Sequence, residues 1–160
     1  MSFGGRLADA FWRNAYRHGY PCARLVWRLT NPSTRGVSVA IRHGDRLLCI
    51  RESYRPGLSL PGGGIDRGET PLEAAQREAR EEVGLDLAAE AFVELGRLDF
   101  NADDRTHLVT FFALDLPSMP APTVDRREIV WAGWLTRQEL ADAERQHTID
   151  LYVRHFAGDL

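Results

Sequence analysis

The stretch LPGGGIDRGETPLEAAQREAREEVGL, from Leu60 to Leu85, decides the fold of this chain. It opens on three consecutive glycines and continues into a segment with the pattern of a helix. Thr70 can cap the helix, Glu73 can complete a capping box, and a proline occupies the favoured first helical position. Gly84 suits the left-handed conformation that ends many helices. The pattern predicts a helix over 71–83, directly behind a glycine loop.

Three glutamates of this helix, Glu78, Glu81 and Glu82, lie within about one turn of each other, because residues three and four apart share a helix face. Like charges at this spacing destabilise a helix by roughly 0.2–0.5 kcal/mol per pair, and Arg77 offsets part of that cost. A solvated face of mixed charge is one interpretation. A site for a hard divalent cation is the other, since Mg²⁺ is bound by one or two carboxylates together with waters and substrate phosphates.

The glycine loop alone does not identify a ligand site, because such loops mark turns more often than binding sites. It is not a P-loop, since no G-K-[ST] follows and the chain contains no lysine. It does not match the G-x-G-x-x-G dinucleotide fingerprint either. Its interest comes from the capped, acidic helix that follows it.

The rest of the chain shows the pattern of one sheet covered by helices. Strands are predicted at 37–41 and 47–51 as a hairpin, at 91–100 and 106–115 around a polar turn, and at 129–135. A second capping box at 136–139 predicts a C-terminal helical region. At 160 residues, with no internal repeat and no linker, the sequence indicates a single domain.

The glycine stretch and its helix resemble the Nudix box, G-x5-E-x7-R-E-U-x-E-E-x-G-U, where U is a bulky aliphatic residue. Ala79 is the one departure, at the first U. The fixed positions correspond to Gly63, Glu69, Arg77, Glu78, Glu81, Glu82, Gly84 and Leu85.

The resemblance implies an α/β fold, a Nudix-like α/β/α sandwich with a mixed, curved β-sheet, within residues 36–160. It also implies an enzyme that hydrolyses a nucleoside diphosphate linked to another group, with Mg²⁺ or Mn²⁺ as cofactor and water attacking phosphorus. The expected partner is a small-molecule nucleotide diphosphate substrate.

The resemblance also assigns roles to residues of the box. Glu78 and Glu82 correspond to the principal metal ligands, and Glu81 to a residue that binds metal or acts as general base. These three glutamates form the expected catalytic set. The backbone carbonyl of Gly62 is a further expected ligand.

Three acids outside this catalytic set also have expected roles or compete for one. The family often supplies another acid from the loop before the last strand, for which Glu128 is the candidate and Asp125 the competitor. Arg77 and Glu69 are expected to form an ion pair that holds the glycine loop against the helix.

Substrate contacts are less well determined by sequence. Tyr54, Arg55, Phe112 and Trp131 are candidates, because aromatic rings stack on bases and arginine suits phosphates. Packing in the core or on the surface explains each of them as well. The histidines show no spacing typical of a shared site, and we interpret them as core or surface residues.

The N-terminal segment, residues 1–35, differs in charge from the rest. It carries six arginines and one acid, whereas the remainder carries fourteen arginines and twenty-two acids. The net charge of the whole chain is -3. We expect a basic, helical extension, with a helix over 6–18, packed on the domain. RNA, an acidic membrane or a partner subunit are alternative ligands for its arginines, and an Arg-rich, acid-poor start is also typical of a mitochondrial transit peptide.

Composition adds broader expectations. The absence of lysine is typical of a GC-rich, bacterial genome, and two unpaired cysteines suit a reducing cytoplasm. The sequence contains no apolar run of membrane-spanning length. A homodimer is left open. Two alternative functions are RNA 5′-pyrophosphohydrolase and a non-catalytic nucleotide-sensing module, although a sensor has no need of the full set of glutamates.

Overall fold

The computed structural model describes residues 33–102 and 105–157, and it places five strands and three α-helices in them. The helix predicted over 6–18 lies outside the described residues, as does most of the N-terminal extension. None of the described helices is long and apolar enough to cross a membrane. The division of the chain at residue 35, the cytoplasmic location and the homodimer stay predictions.

The strands form one mixed sheet in the order β3-β4-β1-β2-β5, in which β1 and β4 are parallel and the other neighbours antiparallel. The strands are β1 (Ser33–His43), β2 (Arg46–Glu52), β3 (Val93–Ala102), β4 (Arg105–Asp115) and β5 (Ile129–Thr136). The helices are α1 (Pro71–Val83), α2 (Arg137–Ala141) and α3 (His147–His155). Each predicted strand is present, extended by one to four residues at one or both ends, or shifted by two in β3. The predicted C-terminal helical region is two helices.

Helices pack on both faces of the sheet, which confirms the predicted α/β sandwich and its mixed sheet. On one face, α1 buries Ala75, Ala79 and Val83 against alternate residues of β1 such as Val39. On the other face, α3 buries Tyr152. Complete burial of a valine-sized side chain contributes about 1.5–3 kcal/mol. The small Ala79, the one departure from the Nudix box, is fully buried at the helix–sheet contact.

Helix α1 begins and ends where the sequence predicts. The Thr70 side chain accepts a hydrogen bond from the Glu73 amide, and the Glu73 carboxylate accepts one from the Thr70 amide. Gly84 ends the helix in the left-handed region, with φ 71° and ψ 22°. Because both ends are fixed locally, the positions of the glutamates along the helix are fixed as well.

The glycine segment, residues 61–65, lies alongside β1 as an irregular extra strand. The amides of Val39 and Val37 donate to the carbonyls of Pro61 and Gly63 at 2.8 and 2.9 Å, and the Ile65 amide donates to the Arg35 carbonyl at 3.1 Å. The paired residues of β1 and β2 are confined to their hairpin end, at Arg42–His43 and Arg46–Leu47. The sheet therefore splays at this point and the glycine segment occupies the gap.

Gly62 occupies a position that other residues cannot take without strain. Its φ is 153°, and a Cβ atom there would lie 2.2 Å from the carbonyl oxygen of Val37. Its neighbour Gly64 has no such constraint, since a Cβ atom there would have nothing within 4 Å. The same substitution at Gly62 and at Gly64 therefore compares a constrained position with an unconstrained one in the same segment.

We expect Gly62→Ala to lower the free energy of unfolding by about 2–4 kcal/mol, because it combines a strained backbone with a backbone clash. Gly64→Ala should change it by less than about 1 kcal/mol. Urea denaturation of the two variants measures the difference. Equal stabilities would contradict the described packing of the glycine segment on β1.

Candidate active site

An open cleft of about 1010 Å³ lies where the glycine segment meets α1, the loop after β2 and the start of α3. Its lining includes acidic side chains from α1, from the end of β2 and from the loop before β5. It also includes aromatic side chains of β3, β4 and α3. The cleft thus presents carboxylates and aromatic rings to the same ligand.

Glu78 and Glu82 project from α1 toward the glycine segment and are each only 9% exposed. They share a helix face because they are four residues apart. The Gly62 amide donates a hydrogen bond of 2.7 Å to Oε2 of Glu82. Gly63 leaves room for the other carboxylate, since a Cβ atom there would lie 2.3 Å from Oε1 of Glu78. The first two positions of the glycine triplet therefore accommodate one buried carboxylate each.

Burial raises the pKa of both carboxylates. The pKa of Glu82 lies well above its ordinary value, mainly because the side chain is desolvated and also because Glu78, Glu52 and Glu128 carry like charge nearby. The Gly62 amide opposes this shift. The pKa of Glu78 is raised by desolvation as well, against the opposing effect of Arg77. Carboxylates in a cleft whose pKa values are raised in this way are typical of functional sites.

Arg77 joins the glycine segment to α1. Its guanidinium donates to both carboxylate oxygens of Glu69 at 2.9 and 3.0 Å, which is the ion pair that the family resemblance implied. It also donates to Oε1 of Glu78 at 2.8 Å and to the Gly64 carbonyl at 2.8 Å. The pKa of Glu69 is lowered mainly by these bonds from Arg77. The contacts fix the orientation of Glu78 while leaving its second oxygen, Oε2, for another ligand.

The remaining expected ligands from the box differ in exposure. Glu81 has a side chain that is 57% exposed and a 3.4 Å contact with Arg77. Among the described residues, no donor is bonded to the Gly62 carbonyl, whereas the carbonyls of its two neighbours are bonded to β1. The Gly62 carbonyl thus takes no part in the hydrogen bonding of the glycine segment to β1.

The loop before β5 contributes Glu128 to the cleft. Oε1 of Glu128 accepts a hydrogen bond of 3.0 Å from the hydroxyl of Tyr54. Desolvation raises the pKa of Tyr54 far above its ordinary value, so the hydroxyl stays protonated as a donor. Asp125, the competitor for this role, also borders the cleft, but it is exposed and accepts from the Arg127 amide. Arg55 borders the cleft, with its guanidinium 5.7 Å from the ring of Tyr54.

Two of the predicted substrate contacts are not brought to the cleft. Phe112 is 3% exposed and packs edge-on against Phe92 in the core beneath α1, because its position on β4 points to that face. Trp131 does not border the cleft, and its ring lies 5.8 Å from the guanidinium of Arg51 on the neighbouring strand. These positions agree with the alternative left open by the sequence, in which Phe112 and Trp131 serve packing in the core and on the surface.

Residues that the sequence analysis did not assign to the site also border the cleft. Glu52 adds a further carboxylate, and Oε2 of this residue accepts from Gln146 at 3.2 Å. Phe100 stacks on His107 with ring centroids 5.2 Å apart, and His147 meets Phe100 edge-on at 5.9 Å. Their spacing in sequence gives no signal, because three separate strands and a helix bring them together.

The donor set suits a hard cation, although it is not assembled as a finished cluster. Among residues 33–102 and 105–157, no three histidine, cysteine, aspartate or glutamate side chains are grouped closely enough to hold a metal as they stand. Glu78, Glu82 and Gly62 nevertheless provide carboxylate and carbonyl oxygens to the same cleft, and both carboxylates are buried. A divalent cation with oxygen preference fits these residues.

Comparison with known proteins gives a consistent result. The family model of the NUDIX domain matches residues 32–155. An RNA pyrophosphohydrolase of Halorhodospira halophila is 48% identical over 50 residues, which make up 31% of this chain and only 27% of that protein. The nucleoside triphosphatase NudI of an Enterobacter species is 34% identical over 120 residues, 68% of this chain and 81% of that protein. In fold, the chain resembles the MutT NUDIX hydrolase from Burkholderia pseudomallei, with a TM-score of 0.68 and 22% identity over 78% of this chain and 98% of that one.

The raised pKa of Glu82 predicts a specific pH dependence of stability in the presence of EDTA. The folded protein holds a proton on Glu82 more tightly than the unfolded chain does, so this residue makes the free energy of unfolding fall as pH rises from the ordinary glutamate value through the raised one. Glu82→Gln should remove that component and melt at a higher temperature than the wild type at neutral pH. Glutamine retains an oxygen that can accept from the Gly62 amide.

The matched control is Glu81→Gln, on the same helix but exposed. Thermal melts of the three proteins between pH 4 and pH 8 provide the measurement. If Glu82→Gln and Glu81→Gln follow the same curve, the burial of Glu82 does not have the described electrostatic cost.

Proposed function

The chain belongs to the NUDIX family and is a Nudix-type pyrophosphohydrolase, and on this premise we propose that it hydrolyses a phosphoric anhydride bond of a small nucleoside diphosphate derivative with Mg²⁺ or Mn²⁺. A nucleoside triphosphate, ADP-ribose or a nucleotide sugar is the class of substrate. The observation that supports this most directly is the pair of buried carboxylates, Glu78 and Glu82, in a cleft that is also lined by Gly62, whose carbonyl has no donor within the described part of the chain.

The residues would divide the work as follows. Glu78, Glu82 and the Gly62 carbonyl would hold the cation, with Glu128 and Glu81 as further oxygen donors. When bound, the cation supplies positive charge to the diphosphate oxygens and lowers the pKa of attacking water. Arg77 keeps the Glu78 carboxylate oriented through its bonds to Glu78 and Gly64. Glu81, exposed at the mouth of the cleft, can take the proton of the water that attacks phosphorus.

The aromatic rings that line the cleft would receive the nucleoside part of the substrate. The ring of His107 is held by Thr34 at 3.0 Å and by the Ala102 carbonyl at 3.1 Å, so the ring pair of His107 and Phe100 has a fixed orientation. Stacking of a base on an aromatic side chain contributes about 1–3 kcal/mol. A substrate with its base against these rings would have its phosphates in the same cleft as the glutamates.

The identity with an RNA pyrophosphohydrolase gives RNA 5′-ends as a second candidate substrate. This identity spans a short part of that relative. The described cleft favours the small nucleotide, because its aromatic rings and carboxylates suit one nucleoside and its phosphates. An RNA substrate held by the N-terminal arginines predicts steep salt dependence of affinity.

The first experiment is a phosphate-release screen over nucleoside triphosphates, ADP-ribose, nucleotide sugars and 5′-triphosphate RNA, with Mg²⁺ or Mn²⁺. We expect turnover of at least one small nucleotide, loss of activity with EDTA, and a reduction of kcat by at least about 100-fold in Glu82→Gln, since this removes a charge that holds the cation. A wild type that hydrolyses none of these compounds, or a variant as active as the wild type, would contradict the proposal. Turnover of RNA alone would favour the second candidate.

The second experiment tests where the nucleoside binds. Phe100→Ala should raise KM for the substrate found in the screen by roughly tenfold and leave kcat nearly unchanged, because stacking stabilises the bound substrate and the transition state alike. Trp131→Ala is the control, since it removes an exposed aromatic ring outside the cleft. The opposite result, a raised KM in Trp131→Ala alone, would place the base elsewhere.

A further inference from the structure

The loop after β2 and the loop before β5 are joined at Glu128 by two hydrogen bonds. The pairing of β2 with β5 shifts register at its end, so that Arg51 is opposite Trp131 but Glu52 is opposite Ile129. Beyond this bulge, the Ser53 amide donates to the Glu128 carbonyl at 2.8 Å. The Tyr54 hydroxyl then donates to Oε1 of the Glu128 side chain at 3.0 Å. Backbone and side chain of Glu128 are therefore both held by consecutive residues.

The chemistry of the donor distinguishes this contact from the one that holds Glu78. Arg77 donates to Glu78 as a cation and so neutralises part of its charge. The phenol of Tyr54 is a neutral donor, which orients the carboxylate while leaving its negative charge in place. With Oε1 engaged by Tyr54, Oε2 of Glu128 remains for a cation or for a water molecule.

The location of Glu128 explains why the orientation of its carboxylate matters. Glu128 lines the cleft together with Glu78 and Glu82, and it is near enough for its charge to act on both of them. It comes from a loop, however, whereas the other two are fixed on a capped helix. A loop carboxylate depends on bonds such as those from Ser53 and Tyr54 for a defined position.

We propose that Tyr54 is a positioning residue, whose hydroxyl holds Glu128 in the orientation in which it binds the divalent cation of the active site. This inference rests on the proposed function, because it takes the glutamates as the cation site. It assigns to Tyr54 a role different from the substrate contact expected from the sequence. The aromatic ring serves to bring the hydroxyl to Glu128, and the hydroxyl is the functional group.

The test is the binding of Mn²⁺ to the substrate-free protein, followed by electron paramagnetic resonance, in Tyr54→Phe. This variant keeps the ring and removes only the hydroxyl. We expect Mn²⁺ affinity to fall by roughly tenfold, the usual effect of removing a residue that orients a ligand. We also expect kcat to fall while KM for the nucleotide stays within about twofold, since the base site is untouched.

Two further variants make the result specific. Tyr152→Phe removes another tyrosine hydroxyl, which contacts Arg42 at 3.4 Å and does not border the cleft, and it should leave Mn²⁺ affinity and kcat unchanged. In a Glu128→Ala background, Tyr54→Phe should cause no further loss of Mn²⁺ affinity, because the carboxylate through which the hydroxyl acts on the cation is already absent. Thermal melts establish that each variant is folded.

The outcomes separate this inference from the proposed function. Unchanged Mn²⁺ affinity in Tyr54→Phe would overturn the positioning role, even if the wild type is an active hydrolase. An additional loss in the Glu128→Ala background would also overturn it, because the hydroxyl would act on another group. A wild type that binds Mn²⁺ but hydrolyses no nucleotide would contradict the proposed function, while the Mn²⁺ measurements would still decide the role of Tyr54.

Discussion

The hydrogen bonding of the glycine segment to β1 is the constraint on which the rest of the site depends. Helix α1 contacts this segment through Glu82 at the Gly62 amide and through Arg77 at the Gly64 carbonyl, and it places Glu78 where Gly63 has no side chain. A side chain at Gly62 or Gly63 would obstruct the contacts made there, whereas the contact at Gly64 uses only its carbonyl. The position of the helix relative to the sheet is therefore set by the same residues that complete the cleft.

The electrostatic arrangement follows from this geometry. Burying several carboxylates together is unfavourable, and the fold balances only part of that charge. Arg77 lies at the edge, where it bonds Glu69 on the outer side and Glu78 on the inner side. Of the two buried carboxylates, Glu78 has a cationic donor in Arg77, whereas the donor described for Glu82 is the neutral Gly62 amide. This arrangement suits the proposed cation, which would bring positive charge to the buried carboxylates.

What the sequence predicts well is what neighbouring residues determine. Helix α1 and its ends follow from Thr70, Glu73 and Gly84, because capping is a local interaction. The remainder depends on which strands become neighbours. His107 and Phe112 lie on opposite faces of one strand, and only the order of the sheet decides which face borders the cleft. Glu52 and Glu128 line the same cleft because β2 and β5 are adjacent strands. No spacing in the sequence indicates that these two strands are neighbours.

The parallel pairing of β1 with β4 has a consequence for how the protein is made. It joins residues 73 positions apart, and both the α1-facing and the α3-facing clusters include residues of these two strands. Closing so long a loop costs entropy before any contact rewards it, whereas α1 can form from its own residues. During synthesis, β1 leaves the ribosome long before its parallel partner β4 has been made. The edge of β1 that pairs with β4 stays open until β4 is made, whereas β2 at the hairpin and the glycine segment, about twenty residues after β1, can cover its other edge much earlier.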